Sequence, residues 1–205
     1  MPLQFYSLPA QTVSGSATAL CPLGPIRLEA NQAGISAVTL LERGVDLDAQ
    51  GQVLATQQLQ AQAGATPQPQ SRRPHNSPWQ LQQIHSPDQH IHQLLQQACA
   101  QLDAYFAREL QQFDLPLAPG GTVFQQQVWQ QLCQLPYGST ASYGALASTL
   151  GKPAAMRAVG AANGRNPIEI IVPCHRVIAA NGRLTGYAGG LSHKLWLLQF
   201  EASAN

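Results

Sequence analysis

Eight residues, Ile170-Ile171-Val172-Pro173-Cys174-His175-Arg176-Val177, constrain this chain more than any other stretch. The apolar run, heavy in Ile and Val, predicts a buried strand. Pro173 should stop it, because proline has no N–H for the ladder and a fixed φ. Cys174 then arrives at the mouth of a rigid element, followed at once by two potential cations. A thiol flanked by His175 and Arg176 is expected in a field that favours thiolate, the form that attacks electrophiles. The same residues admit a plainer reading, a small buried thiol beside a surface basic pair, since free cysteine is among the most buried residue types. For catalysis, the chain must turn directly after Pro173. Consecutive residues of an extended strand face opposite ways, so the thiol and His175 could not otherwise cooperate. A carboxylate should then hold the other imidazole nitrogen, completing nucleophile, base and orienter.

The 205 residues suffice for one large domain or two small ones. There is no run of ~18 uninterrupted apolar residues, so no membrane span is expected. Met1-Pro2-Leu3-Gln4 lacks the basic start and apolar core of a secretory signal. Cys21, Cys99, Cys133 and Cys174 are too widely spaced for a disulfide framework or a close pair of metal ligands. A reducing, cytoplasmic setting suits them, nucleoid-associated in a bacterium. Net charge is +1 but unevenly spread. Residues 1–150 hold five Lys/Arg against eight Asp/Glu, whereas residues 151–205 hold six against two. A basic C-terminal quarter that carries the cysteine suits a polyanionic partner, although an excess of four also fits an ordinary solvated face.

Segments 3–8, 25–30 and 35–41 have the composition of strands, which predicts a small antiparallel sheet. The Ser/Thr/Gly-rich 12–18 segment reads as a loop between the first two. Residues 50–89 hold twelve glutamines and five prolines and read as a mobile excursion. His85, His90 and His92 near its end lack the pairing of a zinc site and read as polar surface, so no metal is assigned. Asp88 caps a helix expected to run to Leu110 through Ile91, Leu94, Leu95, Ala98, Leu102, Tyr105 and Phe106. The proline- and glycine-bearing 113–121 segment reads as a linker between an N-terminal domain, 1–112, and a C-terminal one, 122–205.

In the second domain a helix over 123–132 precedes a pair of short ones. Ser142 can cap a helix from Tyr143 to Leu150, which Gly151 ends. Pro153 opens the next, which runs to about Asn163 and is built of small residues around Arg157. This pair fits a helix-turn-helix. Its alanines allow either close approach to a nucleic-acid groove or tight packing on a neighbouring helix, and spacing alone leaves both open.

Pro173-Cys174-His175-Arg176-Val177 resembles the active-site signature of the O6-alkylguanine-DNA alkyltransferases (methylated-DNA–protein-cysteine methyltransferases). The resemblance extends through Phe124-Gln125, Val128-Trp129, Ser142-Tyr143-Gly144, Arg157 to Gly160, Asn166-Pro167, Gly186 to Gly190, and Lys194 to Glu201. It covers about residues 118–202, while the first hundred match loosely. It implies an α+β protein: an N-terminal ribonuclease-H-like domain with a small sheet and helix, and a mostly helical, winged-helix-like C-terminal domain.

The resemblance also implies roles. Cys174 would take the alkyl group from O6-alkylguanine in double-stranded DNA, once per chain, with no cofactor. His175 would act as base through a bridging water, Glu201 would hold His175, and Asn166 would fix the turn and touch the histidine network. Tyr143 would give a proton to guanine N3 and help rotate the 3′ phosphate. The helix-turn-helix would enter the minor groove, with Arg157 filling the gap left by the flipped base. Gly144, Lys152 and Gln125 would contact DNA, and Pro173, Val177, Tyr187 and Ala188 would line the pocket. Ala188 and Asn163 stand where some relatives carry other side chains. Both leave room, so larger O6-alkyl groups and O4-methylthymine are expected substrates. A monomer is expected. Two rival readings remain at this point, a Cys-His hydrolase and a non-catalytic sensor of alkylated DNA.

Overall fold

The structure, a computed structural model, describes residues 3–5, 13–44 and 81–203. Its N-terminal half is a six-stranded sheet in the order β1-β6-β4-β3-β2-β5. The strands are β1 (Gln4–Phe5), β2 (Ser14–Cys21), β3 (Gly24–Asn31), β4 (Gly34–Leu40), β5 (Leu81–His85) and β6 (Pro116–Leu117). β2, β3 and β4 form an antiparallel meander, and β5 pairs antiparallel with β2. β6 runs parallel to both β1 and β4, so the sheet is mixed rather than wholly antiparallel. Helix α1 (Gln89–Phe106) lies on it, and the Asp88 carboxylate accepts from the N–H groups of His90 and Ile91. The expected cap is therefore present, but the helix stops four residues before Leu110.

Segment 14–18, expected as loop, belongs to β2. Its alternate residues Gly15, Ala17, Ala19 and Cys21 are buried. They are small because α1 crosses close above them. A Cβ on Gly15 would meet Ser86 Cβ at 2.7 Å and Ile91 Cγ2 at 2.9 Å. Low side-chain volume is thus a packing requirement of this face, not a loop signal. Most of the glutamine-rich excursion lies outside the described residues, but its last part, expected as mobile, is strand β5. The 113–121 segment is likewise more than a connection. Phe113, Leu115, Leu117 and Ala118 are buried, and β6 inserts between β1 and β4.

The largest departure is at Ile170-Ile171-Val172, which is not a strand. The chain there folds into successive tight turns: Ile171 N donates to Glu169 O at 2.8 Å, Val172 N to Ile168 O at 3.0 Å, and Cys174 N to Val172 O at 2.8 Å. Ile170 has φ 70°, a left-handed conformation that a β-branched side chain resists. All three side chains are buried, as their apolarity requires. A buried apolar run identifies core residues, but it becomes a strand only where a ladder partner exists along its length. Here the edge of β4 meets the segment only at its start, where Val38 pairs with Ile168.

The C-terminal half carries α2 (Val123–Leu132), α3 (Tyr143–Thr149), a 3-10 turn (Pro153–Ala155) leading into α4 (Met156–Asn163), and α5 (Leu191–Ala202). Ser142 caps α3 through Ala145 N at 3.1 Å. Trp129 Nε1 donates to Ala162 O at 2.9 Å and ties α2 to α4. The two-residue strands β7 (Ala141–Ser142) and β8 (Val177–Ile178) pair in parallel, which fixes the start of α3 beside the segment that follows the cysteine.

Candidate active site

Directly after Pro173 the chain enters a 3-10 turn, Cys174–Arg176, so it does bend where cooperation of thiol and imidazole requires. His175 is fully buried, and its Nε2 lies 2.9 Å from Glu201 Oε1. Glu201, on the last turn of α5, also accepts from Arg176 Nε and Nη2 at 2.9 Å, Tyr105 Oη at 2.8 Å and Gly138 N at 3.1 Å. Burial alone would raise its carboxyl, but the bonds and charges of His175 and Arg176 reverse this and hold it well below the usual carboxylate range. An ionised carboxylate can only accept, so Nε2 must carry the hydrogen. His175 Nδ1, which has no protein partner, is left with the lone pair. Burial pushes the imidazole down, against the bond to Glu201, and keeps the ring neutral at rest.

His175 and Arg176 do not supply the thiolate-favouring field expected around Cys174. The turn sends Arg176 away, where it is spent on Glu201 and on Leu135 O at 2.7 Å. Cys174 is 4% exposed, and burial pushes its thiol up to about 11, despite a hydrogen bond with Asn166 and the charge of Lys194. At rest the sulfur is protonated. Asn166 does fix the turn, donating to Val172 O at 2.9 Å and Ile168 O at 3.2 Å and accepting from Ile168 N at 3.0 Å. It serves the thiol and the turn, and no bond joins it to His175.

Tyr143 is half-buried at the start of α3, 3.3 Å from Thr185 O, with its ring against Gly160 of α4. Burial raises its phenol, so it stays a donor. Arg157 stands exposed on α4. Lys152 is also exposed, near Gln127 Oε1 at 3.2 Å and over the Phe124 ring at 5.1 Å. Gln125 is already engaged, because its side chain caps α2 by accepting from Thr122 N at 2.8 Å. Gly144 lies beside Met156, whose Sδ would be 3.8 Å from an added Cβ.

Pro173, Val177 and Tyr187 are buried around the cysteine, and Ala188 is exposed. The glycine-rich 186–190 segment is anchored at its far end. Gly44 N donates to Gly189 O at 2.7 Å, and Gly190, at φ 92°, sits where any Cβ would strike the backbone of Gly44.

Known proteins resemble this arrangement over nearly all of the chain. The 6-O-methylguanine DNA methyltransferase ribonuclease-like domain matches residues 16–119, and the DNA binding domain of the same description matches residues 123–203. The chain belongs to the 6-O-methylguanine DNA methyltransferase family. A methylated-DNA–protein-cysteine methyltransferase of Methanosarcina acetivorans is 59% identical over 111 residues, 54% of this chain and 71% of that protein. One from Mycobacterium leprae is 61% identical over 105 residues, 51% of this chain and 64% of that protein. The Mycobacterium tuberculosis OGT solved in complex with DNA superposes with a TM-score of 0.66 at 39% identity, covering 92% of this chain and 93% of that one.

Within this methyltransferase fold, three residues at the site escaped the reading of the sequence as site residues. Tyr105 reaches Glu201 across 96 positions, and its only sequence signal was an aromatic at a core-facing helical position. Arg176, expected as a cation beside the thiol, instead holds Glu201. Lys194 is fully buried, donating to Val177 O at 2.6 Å and Thr185 O at 2.7 Å. Ser192, His193, Gln199 and Glu201 of the same helix are polar too, so the sequence carried no signal that Lys194 is buried.

Proposed function

We propose that this chain repairs alkylated DNA by moving the alkyl group from guanine O6 to the sulfur of Cys174. Alkyl transfer from DNA to a protein cysteine is the activity of the family to which the chain belongs. The observation that carries the assignment to this site is the fixed tautomer of His175. Glu201 occupies Nε2, and the basic lone pair therefore lies on Nδ1. The thiol and the imidazole are both neutral at rest, and His175 takes the proton through a bridging water as the sulfur attacks.

The base must leave the duplex to present its alkyl carbon to the buried sulfur. The C–S bond forms as the C–O6 bond breaks, the electron pair stays on guanine, and Tyr143 supplies a proton at N3. Arg157 takes the vacated place in the stack, where a planar guanidinium can both stack and hydrogen-bond. Gly144 and Lys152 meet the DNA, while Gln125 can offer only its amide nitrogen. Asn166 positions the turn, and Pro173, Val177, Tyr187 and Ala188 shape the pocket. Room at Ala188 and Asn163 favours larger O6-alkyl groups and O4-methylthymine. The thioether is a poor leaving group, so each chain acts once.

We place the division of labour at an N-terminal domain, 1–112, a connection, 113–121, and a DNA-binding and catalytic domain, 122–205. The protein works as a monomer in the cytoplasm. No described helix is long and apolar enough to cross a membrane.

Reaction with O6-benzylguanine followed by intact mass and peptide mapping tests the reading. One benzyl adduct on Cys174 is expected, and an unmodified Cys174 overturns it. A Cys174→Ala variant should bind alkylated duplex and accept no label. Binding without transfer by the unaltered chain would instead mark a sensor, and peptide turnover a hydrolase.

A further inference from the structure

One buried acid has no part in the chemistry above. Glu169 lies five residues before the nucleophile and is 5% exposed. Its surroundings explain its position. Val38 N donates to Pro167 O at 2.9 Å, Glu169 N donates to Val38 O at 2.9 Å, and Leu40 N donates to Glu169 Oε2 at 3.1 Å. The first two bonds are rungs of a short parallel ladder between β4 and the turn. The third continues that ladder after the main chain has turned away, with a side-chain oxygen standing where a carbonyl would be. The nucleophile's turn is thereby stitched to the N-terminal sheet.

An alanine or a glutamine could occupy this place, and the glutamine could make the third rung. Ionised, the carboxyl also acts on its neighbours. Its charge disfavours ionisation of Cys174 and of Tyr187, whose buried hydroxyl has no hydrogen-bond partner. The other ionisable groups acting on the thiol are Lys194 of α5, Tyr143 of α3 and Tyr187. Of the charged ones, Glu169 opposes thiolate and Lys194 favours it.

We propose that Glu169 is a positioning residue with two effects: its oxygen ties the turn bearing Cys174 to β4, and its negative charge restrains the thiolate. Resting on the reading of Cys174 as nucleophile, this adds an element that lowers the thiolate fraction. Burial pushes the Glu169 carboxyl up to about 7, so the restraint strengthens as pH rises through neutrality. The tie does not titrate, because a protonated carboxyl keeps a carbonyl oxygen for Leu40 N.

The test compares Glu169→Gln, which keeps an acceptor and loses the charge, with Glu169→Ala, which loses both. Three measurements apply: Cys174 labelling by iodoacetamide against pH, single-turnover transfer from O6-methylguanine duplex, and amide exchange at Leu40. Glu169→Gln should label about threefold to tenfold faster than the unaltered protein at about pH 8, with the two converging near pH 6. Leu40 should stay protected in Glu169→Gln and lose protection in Glu169→Ala. Identical labelling profiles for Glu169→Gln and the unaltered protein overturn the restraint. Full protection of Leu40 in Glu169→Ala overturns the tie. Slowing of Glu169→Gln by one factor at every pH marks a merely structural role and also overturns the restraint. Because iodoacetamide needs no DNA, labelling reports on Glu169 even if transfer from DNA to Cys174 fails.

Discussion

Tyr105 and His175 share one oxygen. The phenol of helix α1 and the imidazole of the nucleophile's turn both bond to Glu201 Oε1, at 2.8 and 2.9 Å. The helix that covers the N-terminal sheet therefore helps fix the orientation of the base. The contact is walled by aromatic rings, with Tyr105 within 5.9 Å of Phe106, Phe113, Tyr137 and Phe200, centroid to centroid. Such walls exclude water and strengthen each bond to the carboxylate.

Tyr105→Phe keeps the rings and removes one donor. Glu201 retains Arg176, Gly138 and His175, so the loss is partial. Stability should fall by about 1–2 kcal/mol, with alkyl transfer slowed only several-fold. Urea denaturation and single-turnover transfer measure the two. A transfer rate as low as that of a Cys174 variant would mean that Tyr105 does more than orient.

Glu201→Gln is far harsher. It leaves the Arg176 guanidinium buried without its anion, at a cost of about 3–5 kcal/mol. It also frees His175 to adopt the other tautomer, which should slow transfer on the order of a thousandfold. The cost also has a pH signature. A carboxyl held below its ordinary value adds stability above about pH 4, and that stability is lost on acidification. The variant's denaturation midpoint should therefore depend less on pH below about 5 than that of the unaltered protein.

Glu169 has the opposite sign. Its carboxyl is pushed up to about 7, so its contribution to stability is fully present below its ordinary value of about 4.5 and is lost as pH rises through 7. Glu169→Gln should be more stable than the unaltered protein at about pH 8 and no more stable at about pH 4.5. Denaturant midpoints at the two values decide it.

Lys194→Met removes the donor shared by Val177 O and Thr185 O and the cation that favours thiolate. The buried Val177 O loses this donor at about 1–3 kcal/mol, whereas Thr185 O keeps the Tyr143 hydroxyl at 3.3 Å. Cys174 labelling should slow, and amide exchange near residues 183–187 should quicken. Unchanged labelling would remove Lys194 from the site.

Arg157→Ala separates binding from chemistry. The side chain is exposed on α4. Transfer from alkylated duplex should fall on the order of tenfold or more, while reaction with free O6-benzylguanine should not change. Equal losses on both substrates would place Arg157 at the sulfur instead.

Several elements were legible because their causes are local. Asp88, Thr122 and Ser142 cap helices that begin where the sequence put them, since a cap and the N–H groups it serves are two or three residues apart. The bend after Pro173 followed from proline and the alternation of side chains. The linker reading of 113–121 missed β6, because two residues become a strand only when neighbours supply a ladder.

By itself, the sequence determined which residues are apolar enough to be buried, where helices can start and stop, and that a thiol, an imidazole and a guanidinium follow one another after Pro173. Only the tertiary structure decided that Ile170–Val172 turn instead of extending, and that small residues at 14–18 form a strand beneath α1. It also decided that Arg176 serves Glu201 while Cys174 rests protonated. The physical reason is range: capping and chain stiffness act over a few residues. Burial, ladder partners and the sharing of one carboxylate by Tyr105, His175 and Arg176 depend on groups far apart in the chain that meet only once it has folded.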